Sequence, residues 1–526
     1  MAIITFLLYT LGVAALSYWL TGKTKNTSEG YFLGGRSLTA GVIAGSLLLT
    51  NLSTEQIVGL NGQAFTEGIL VMCWETLAAI AMVVTALFLL PRYLKGGITT
   101  IPQFLEVRYD AMTRTIASGL FLTGYVVVLL PIVLYSGALA LLTMFDIPEV
   151  FGISQNLALW LSVWFIGIIG SVYAIFGGLK AVAVSDTINA VGLLIGGLMI
   201  PVFGLWYIGD GSMMTGLTNL YESAPERFNA VGDKDASVPF GTIFTGMMLV
   251  QLFYWGTNQA IIQRALAAKN LKEGQKGLLL AAGLKILGPL ILVLPGMIAW
   301  HIFQGELEIA DQAYPKLVKT VLPVALVGFF AAVLFGAILS SFNSALNSSV
   351  TLFGIDIYKN NINKDADQET VIKYGKRFGI MLAIFAMCIA PLIQYADGGL
   401  FGYLQEINGC YSIPILTIIV VGYLTKYVPA IAAKVAIFSG SILYLLQFIL
   451  KEFVLEENPF PHFLHVMAIL FVMNIMIMLL IAQLKPRKEP FALPYSNEVD
   501  ITPFRYAKPI GAMVVVIVVL SYLVFR

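Results

Sequence analysis

The chain is poor in the residues that staple or charge a soluble protein: among 526 residues there are three cysteines and three histidines, and only 12% are charged. Cys73, Cys388 and Cys410 all fall inside apolar runs, so no disulfide framework is implied. Three imidazoles leave little for a metal centre. His462 and His465, in PHFLHV, have no further ligand nearby, and their spacing suits the entrance of a membrane span better than a metal pair. His301 sits at the outer end of another span and suggests no role. Lys and Arg (31) nearly balance Asp and Glu (30), and nothing indicates a nucleic-acid partner. No nucleophile, base and metal converge, so an enzyme is not expected.

What is abundant is hydrocarbon. Hydrophobic residues make up 58% of the chain, and apolar runs of about 20 residues, the length that crosses a bilayer, recur from end to end. Most runs are apolar all round, which argues against a soluble bundle of amphipathic helices. The chain reads as an all-α polytopic membrane protein, a single membrane domain in the lipid bilayer. It has fourteen expected transmembrane helices, near 2–20, 38–66, 68–94, 116–143, 154–176, 180–208, 240–264, 276–304, 322–358, 377–396, 399–425, 428–450, 461–484 and 508–525. The first run lacks a basic n-region and a convincing cleavage site, so it is expected to be retained rather than removed as a signal peptide. Placing the N-terminus outside puts about 24 of the 31 basic residues in the cytoplasm, among them Arg36, Arg108, Arg114 and Arg264. An even number of spans returns the C-terminus to the outside. The expected location is the plasma (inner) membrane, with both termini extracytoplasmic.

Ionisable side chains within the spans are few: Glu55, Glu75, Asp186, Lys285, Asp356 and Glu406. Each costs ~2.5–3.5 kcal/mol on insertion scales, so each asks for a function or a partner. Lys285 stands about nine residues beyond Lys276, ~13 Å into the membrane, and Glu75 reaches a similar depth from the opposite side. Acid and base can meet there, and their spare lone pairs and protons suit vicinal hydroxyls. Asp356 is expected to pair with Lys359 at the cytoplasmic interface, and Asp186 lies near the same side.

Two spans are interrupted by polar residues. SLLLTNLSTEQIVGL (46–60) carries Asn51, Ser53, Thr54, Glu55 and Gln56; LVQLFYWGTNQAIIQR (249–264) carries Gln251, Tyr254, Trp255, Gly256, Thr257, Asn258 and Gln259. They open two five-span blocks, and because five is odd the second block enters the membrane from the opposite side. Paired broken helices point to a transporter site, since unwound backbone at mid-membrane is tolerated only where it lines a cavity or binds an ion. In FGAILSSFNSALNSS (335–349), Ser340, Ser344 and Ser348 share one helical face. Such serines serve helix packing as readily as cation binding. Beside a broken helix, hydroxyls and freed carbonyls make a hard-oxygen cage for an alkali cation.

YFLGGRSL (31–38), LTNLSTEQIVGL (49–60), GGLKAVAVSDTINA (177–190), FYWGTNQAIIQRALAAKN (253–270), AILSSFNSALNS (337–348) and FGYLQEINGC (401–410) resemble the sodium:solute symporter family. Within it they resemble the bacterial sodium/galactose and animal sodium/glucose cotransporters, over nearly the whole chain. The resemblance implies a leucine-transporter-type core of five plus five helices in inverted repeats. It divides the chain into a peripheral helix and loop (1–37), a first repeat (38–208), an extracellular loop (209–239), a second repeat (240–426) and peripheral C-terminal helices (427–526). It also implies symport of Na+ and a monosaccharide by alternating access.

Carried over residue by residue, the sodium ligands are the carbonyls of Leu49, Leu52 and Ala337 and the hydroxyls of Ser340 and Ser341. The sugar site falls on Asn51, Gln56, Glu75, Lys285 and Gln405, with Gln251 standing where relatives have an asparagine. Tyr254 matches the aromatic that closes over the sugar from the cytoplasmic side, with Trp255 beside it, and Leu60 and Phe401 match the outer gate. Some relatives have a second sodium site; its aspartate is equivalent to Asp186 and its serines align with Asn343 and Ser344, which serve here as a candidate second cation site or exit path. One sodium per sugar is expected. Trp74, Ala78, Leu60 and Gln251 depart from the relatives' pocket residues, which leaves the particular sugar open. The rival readings are a symporter of the same family for a sialic acid, carboxylate or amino acid, and a channel or sensor on the same scaffold.

Overall fold

A backbone in hydrocarbon must satisfy its own N–H and C=O groups, so long apolar runs become helices. The computed structural model describes residues 1–21, 32–304, 307, 310–395, 400–455 and 459–526. Among these every named element is helical, and extended backbone pairs only at a bridge between Leu38 and Ala268. Tyr31, the lysines at 23 and 25, and the side chain of Phe401 lie outside the described residues.

Among the described residues, ten helices are long and apolar enough to cross a membrane, and a further pair, Leu271–Ile286 with Gly288–Phe303, passes only together, bent by 50° where Pro289 enters its second half. Some of the expected runs divide differently. Ala40–Asn51 is apolar but short, while the first helix runs over Ala2–Thr21. The run 38–66 breaks after Asn51, and its second half continues through a 3-10 turn at Gly68–Met72 into one stretch, Thr54–Lys95. The run 240–264 is cut after Gly256. The expected spans 154–176 and 180–208 correspond to two apolar spans, Gln155–Ile175 and Val182–Ile208. Gly170 meets Phe342 and Ile175 packs with Val350 at Gly379, whereas Asn189, Gly192 and Gly196 meet Gly336, Val333 and Phe330 in turn. The chain therefore advances along one neighbour and then returns along it.

That neighbour, Val324–Thr351, is the hub of the bundle. It packs against the first helix, Ala40–Asn51, Leu130–Phe145 and Gln155–Ile208. Small residues permit the approach: Gly328 lies against the Ala2 carbonyl and Gly137 against Ile338, as expected where helices associate by close packing.

Several charges assigned to loops or interfaces are instead internal. Arg108 and Arg264 are fully buried and Arg114 nearly so. Asp356 does not pair with Lys359. Its carboxylate accepts from Arg114, from Thr100 at 3.0 Å and from Ser118 at 3.2 Å, because the end of the serine-bearing helix packs against Ala111–Gly124 rather than facing solvent. Glu406 takes Lys451 at 2.9 Å.

The two ends of the bundle are finished differently. At one end an irregular strap, 485–506, crosses the helix termini: Arg487 N–H donates to the Tyr427 carbonyl, Phe491 to Lys426, Ser496 to Lys95, and Asp500 accepts from Leu271 N–H. At the other end 209–239 is not a bare loop but contains the helix Met213–Ser223. There His462 caps Phe463–Leu484, accepting from Leu464 N–H at Nδ1 while Nε2 meets the Ser237 carbonyl at 3.1 Å. Both ring nitrogens are thereby used within the protein. Burial pushes the His462 imidazole down to about 4.

Candidate functional site

The first broken helix stops without proline or glycine. Ala40–Asn51 ends, Leu52 and Ser53 adopt non-helical conformations (φ −75°, ψ 57° and φ −81°, ψ 173°), and Thr54–Glu67 begins. A continuing helix would send Ser53 N–H to the Leu49 carbonyl; here it turns to Asn51 at 2.8 Å. The next helix first bonds back from Ile57 to Ser53, one residue past Leu52. Leu49 and Leu52 are buried at this break.

The serine face of Val324–Thr351 closes on it. Ser341 Oγ donates to the Thr50 carbonyl at 3.0 Å, and Thr50 Oγ1 lies 3.4 Å from Ser340 Oγ and 3.2 Å from Ser344 Oγ. Ala337, one turn earlier, is fully buried. Backbone carbonyls and hydroxyls without thiolate or imidazole form the donor set that an alkali cation takes. Among the described residues no group of three or more His, Cys, Asp or Glu is placed to hold a metal ion.

The second break lies between Gly246–Gly256 and Gln259–Leu266. Asn258 caps the later half, accepting from Ala260 N–H at 3.0 Å, and Tyr125 donates to the same oxygen at 2.6 Å. Gln259 Oε1 accepts from Ile101 N–H at 2.9 Å. The polar residues that interrupt the helix thus replace the helical bonds it loses.

Between the two breaks lies a cavity lined by polar and aromatic side chains. Asn51, Gln56, Gln251, Tyr254, Trp255, Lys285 and Gln405 all line it. Glu75 does not line the cavity but is fully buried behind two residues that do; Gln56 Nε2 donates to one of its carboxylate oxygens and Lys285 Nζ to the other at 2.5 Å. Gly288 makes room for this pair, since a Cβ there would collide with the Glu75 side chain. Lys285 Nζ also stands 5.5 Å from the Trp255 ring centre. Gln251 donates to the Trp74 carbonyl at 2.8 Å and accepts from Trp255 Nε1 at 3.2 Å. Tyr254 packs edge-on to Trp255, and its hydroxyl reaches the Asn51 side chain. An aromatic cluster of Phe121, Tyr125, Phe253 and Tyr411 adjoins the cavity at Tyr411.

Other positions fall elsewhere. Leu60 is buried in the core and not on the cavity wall. Phe401 stands in the first turn of Leu400–Leu424. Asp186 and Ser344 come together near Thr50, but Asn343 turns its Oδ1 to Gly170. Sequence reasoning gave no role to Glu55, Asn258, Asn408 and Tyr411, which also line the cavity. Glu55 carried a signal, being ionisable within a span, and its Oε2 is buried without a hydrogen-bond partner. Asn408 carried one as well, lying in the FGYLQEINGC run beside Gln405 and Glu406, whereas Tyr411 just beyond it carried none.

A bundle of membrane-length helices that holds a polar cavity between two helix breaks has the build of a solute carrier. The sodium:solute symporter family profile matches residues 31–440. An uncharacterized symporter of Escherichia coli (strain K12), YidK, is 50% identical over 507 residues, 96% of this chain and 88% of its own. The sodium/glucose cotransporter of Vibrio parahaemolyticus is 34% identical over 450 residues, 81% of this chain and 80% of its own. A Na+-coupled sialic acid symporter, solved in a substrate-bound outward-open state, shares the fold, with a TM-score of 0.79 at 19% identity over 93% of this chain and 98% of that one. The chain belongs to the sodium:solute symporter family, and sodium is the ion it couples to its solute.

Proposed function

We propose that the protein carries a monosaccharide of the galactose or glucose type into the cell together with one sodium ion, by alternating access. The observation that carries this reading is that Gln56 and Lys285, on the wall of a cavity between the two broken helices, are both held by Glu75 behind them. Glu75 compensates Lys285, so the wall offers paired acceptors and donors instead of a fixed cation. That suits vicinal hydroxyls, and it disfavours the rival reading of an anionic solute such as a sialic acid or a carboxylate. Trp255 and Tyr254 supply apolar faces for a pyranose ring.

Sodium is read onto the Leu49, Leu52 and Ala337 carbonyls and the Ser340 and Ser341 hydroxyls, where the break frees backbone acceptors against the serine face. Asn51 belongs both to this break and to the cavity wall. Ion occupancy there would order the residues that meet the sugar, which is how the two would be coupled. The core is read as two inverted five-span repeats, 38–208 and 240–426, within fourteen spans and with both termini outside. On that orientation the strap lies on the cytoplasmic face, and inward sodium movement gains ~2.3 kcal/mol per 100 mV of membrane potential.

The test is uptake of radiolabelled galactose and glucose by purified protein in proteoliposomes, with and without an inward sodium gradient. Concentrative uptake that needs the gradient is expected. Transport of neither sugar, with sialic acid or an amino acid taken up instead, would replace the sugar reading with its rival.

A further inference from the structure

Arg264 lies in the half-helix that follows the second break, and it is fully buried. Its guanidinium is spread over three elements. Nε donates to Ser46 Oγ at 3.1 Å, Nη1 to the Ala260 carbonyl, and Nη2 to Ser344 Oγ, with Nη2 3.8 Å from Asp186 Oδ2. Asp186 in turn accepts from Ser46 Oγ at 2.7 Å, and Thr50 Oγ1 stands alongside at 3.4 Å from Ser340 Oγ and 3.2 Å from Ser344 Oγ. One carboxylate and four hydroxyls, those of Ser46, Thr50, Ser340 and Ser344, therefore converge beside the first break. This is the hard-oxygen donor set that would ordinarily hold a second alkali cation.

The set does not fit one here, because a cation already occupies it. Ser344 Oγ gives one lone pair to Arg264, meets Thr50 Oγ1 at 3.2 Å with the other, and donates its proton to the Ser340 carbonyl at 2.6 Å. The carboxylate charge that would pay for dehydrating an incoming ion is matched by a guanidinium that cannot lose its proton at ordinary pH. We propose that Arg264 is the resident, tethered cation of a second cation site, and that this protein consequently binds a single exchangeable sodium ion. The inference rests on the sodium-ligand reading of Leu49, Leu52, Ala337, Ser340 and Ser341 and deepens it.

The experiment counts 22Na+ bound at saturation per molecule of purified, full-length protein by scintillation proximity, a readout independent of transport. Wild type is expected to bind one ion. Arg264→Ala, folded as judged by a monodisperse elution profile, is expected to bind two, and Arg264→Ala with Asp186→Asn to return to one. A purely packing role for the ion pair predicts one ion in all three proteins, and that result overturns the proposal. Should Arg264→Ala not fold, the wild-type count still decides: one ion supports the inference and two overturn it. Failure of the underlying reading looks different, since wild type would then bind no sodium at all.

Discussion

At the scale of single residues, the decisive feature is a carboxylate and an ammonium removed from water together. Glu75 and Lys285 are 0% and 1% exposed, so each depends on the other to offset its desolvation. Lys285→Ala is expected to abolish sugar uptake and to destabilise the protein by ~3–5 kcal/mol, because it strands a buried charge. Glu75→Gln combined with Lys285→Met should recover most of the lost thermal stability while uptake stays absent; recovery of uptake would remove the pair from the sugar site. Ser341 has a smaller task. Its replacement by alanine deletes one oxygen and a hydrogen bond worth ~1 kcal/mol to the Thr50 carbonyl. The expected result is a rise of about five- to tenfold in the sodium concentration giving half-maximal uptake, and an unchanged sodium dependence would withdraw the cation assignment. The meeting of Glu75 and Lys285 was legible in the sequence because both stand at a depth where neither can reach water. The partner of Asp356 was not: Lys359 is near in sequence, but Arg114 is near in space. Arg264 was hidden for a related reason, since a basic residue at the end of an apolar run looks like a loop until the half-helix carrying it is seen to fold inward.

At the scale of elements, both breaks were visible as polar interruptions, and their mechanism explains why no proline was needed. Ser53, Asn258 and Tyr125 supply the hydrogen bonds that the helices give up. Span boundaries were less legible. Hydropathy separated 154–176 from 180–208, but it joined 38–66 into one run although its second half belongs with Thr54–Lys95. Phe463–Leu484 offers a test of a cap. His462 holds the first turn only as the neutral imidazole, with Nδ1 accepting from Leu464. Its folded pKa, about 4, lies below the ordinary 6.5, so its contribution to stability is complete above pH 6.5 and lost as pH falls toward 4. The apparent melting temperature should therefore decline across that window. In His462→Ala it should start lower, consistent with loss of a cap worth ~1 kcal/mol, and the decline should be shallower. Parallel pH profiles for the two proteins would show that the cap does not titrate.

At the scale of the whole molecule, the face crossed by the strap is held by Arg36. Its guanidinium donates to the Leu266 carbonyl at 3.0 Å and the Gly97 carbonyl at 2.8 Å, and it meets Glu498 at 3.4 Å. Glu498 is 57% exposed, so that ion pair adds little and Glu498→Gln should be nearly silent. Arg36→Ala removes two charge-assisted bonds of ~1.5–3 kcal/mol each, and is expected to shift the population toward a state open on this face by at least tenfold. Spin labels at Lys269 and Ser496 should report a longer distance in that variant; an unchanged distribution would assign Arg36 to folding alone. The strap itself, 485–506, was visible in the sequence only as the interval between the spans 461–484 and 508–525, since nothing in its composition reveals where it lies down. Its backbone bonds to Tyr427, Lys426, Lys95 and Leu271 join helix ends that are far apart in the chain. None of these ends can drift without dragging the others. Whatever motion this face undergoes, its helix ends must therefore travel as one piece, because the strap leaves no seam along which they could part singly.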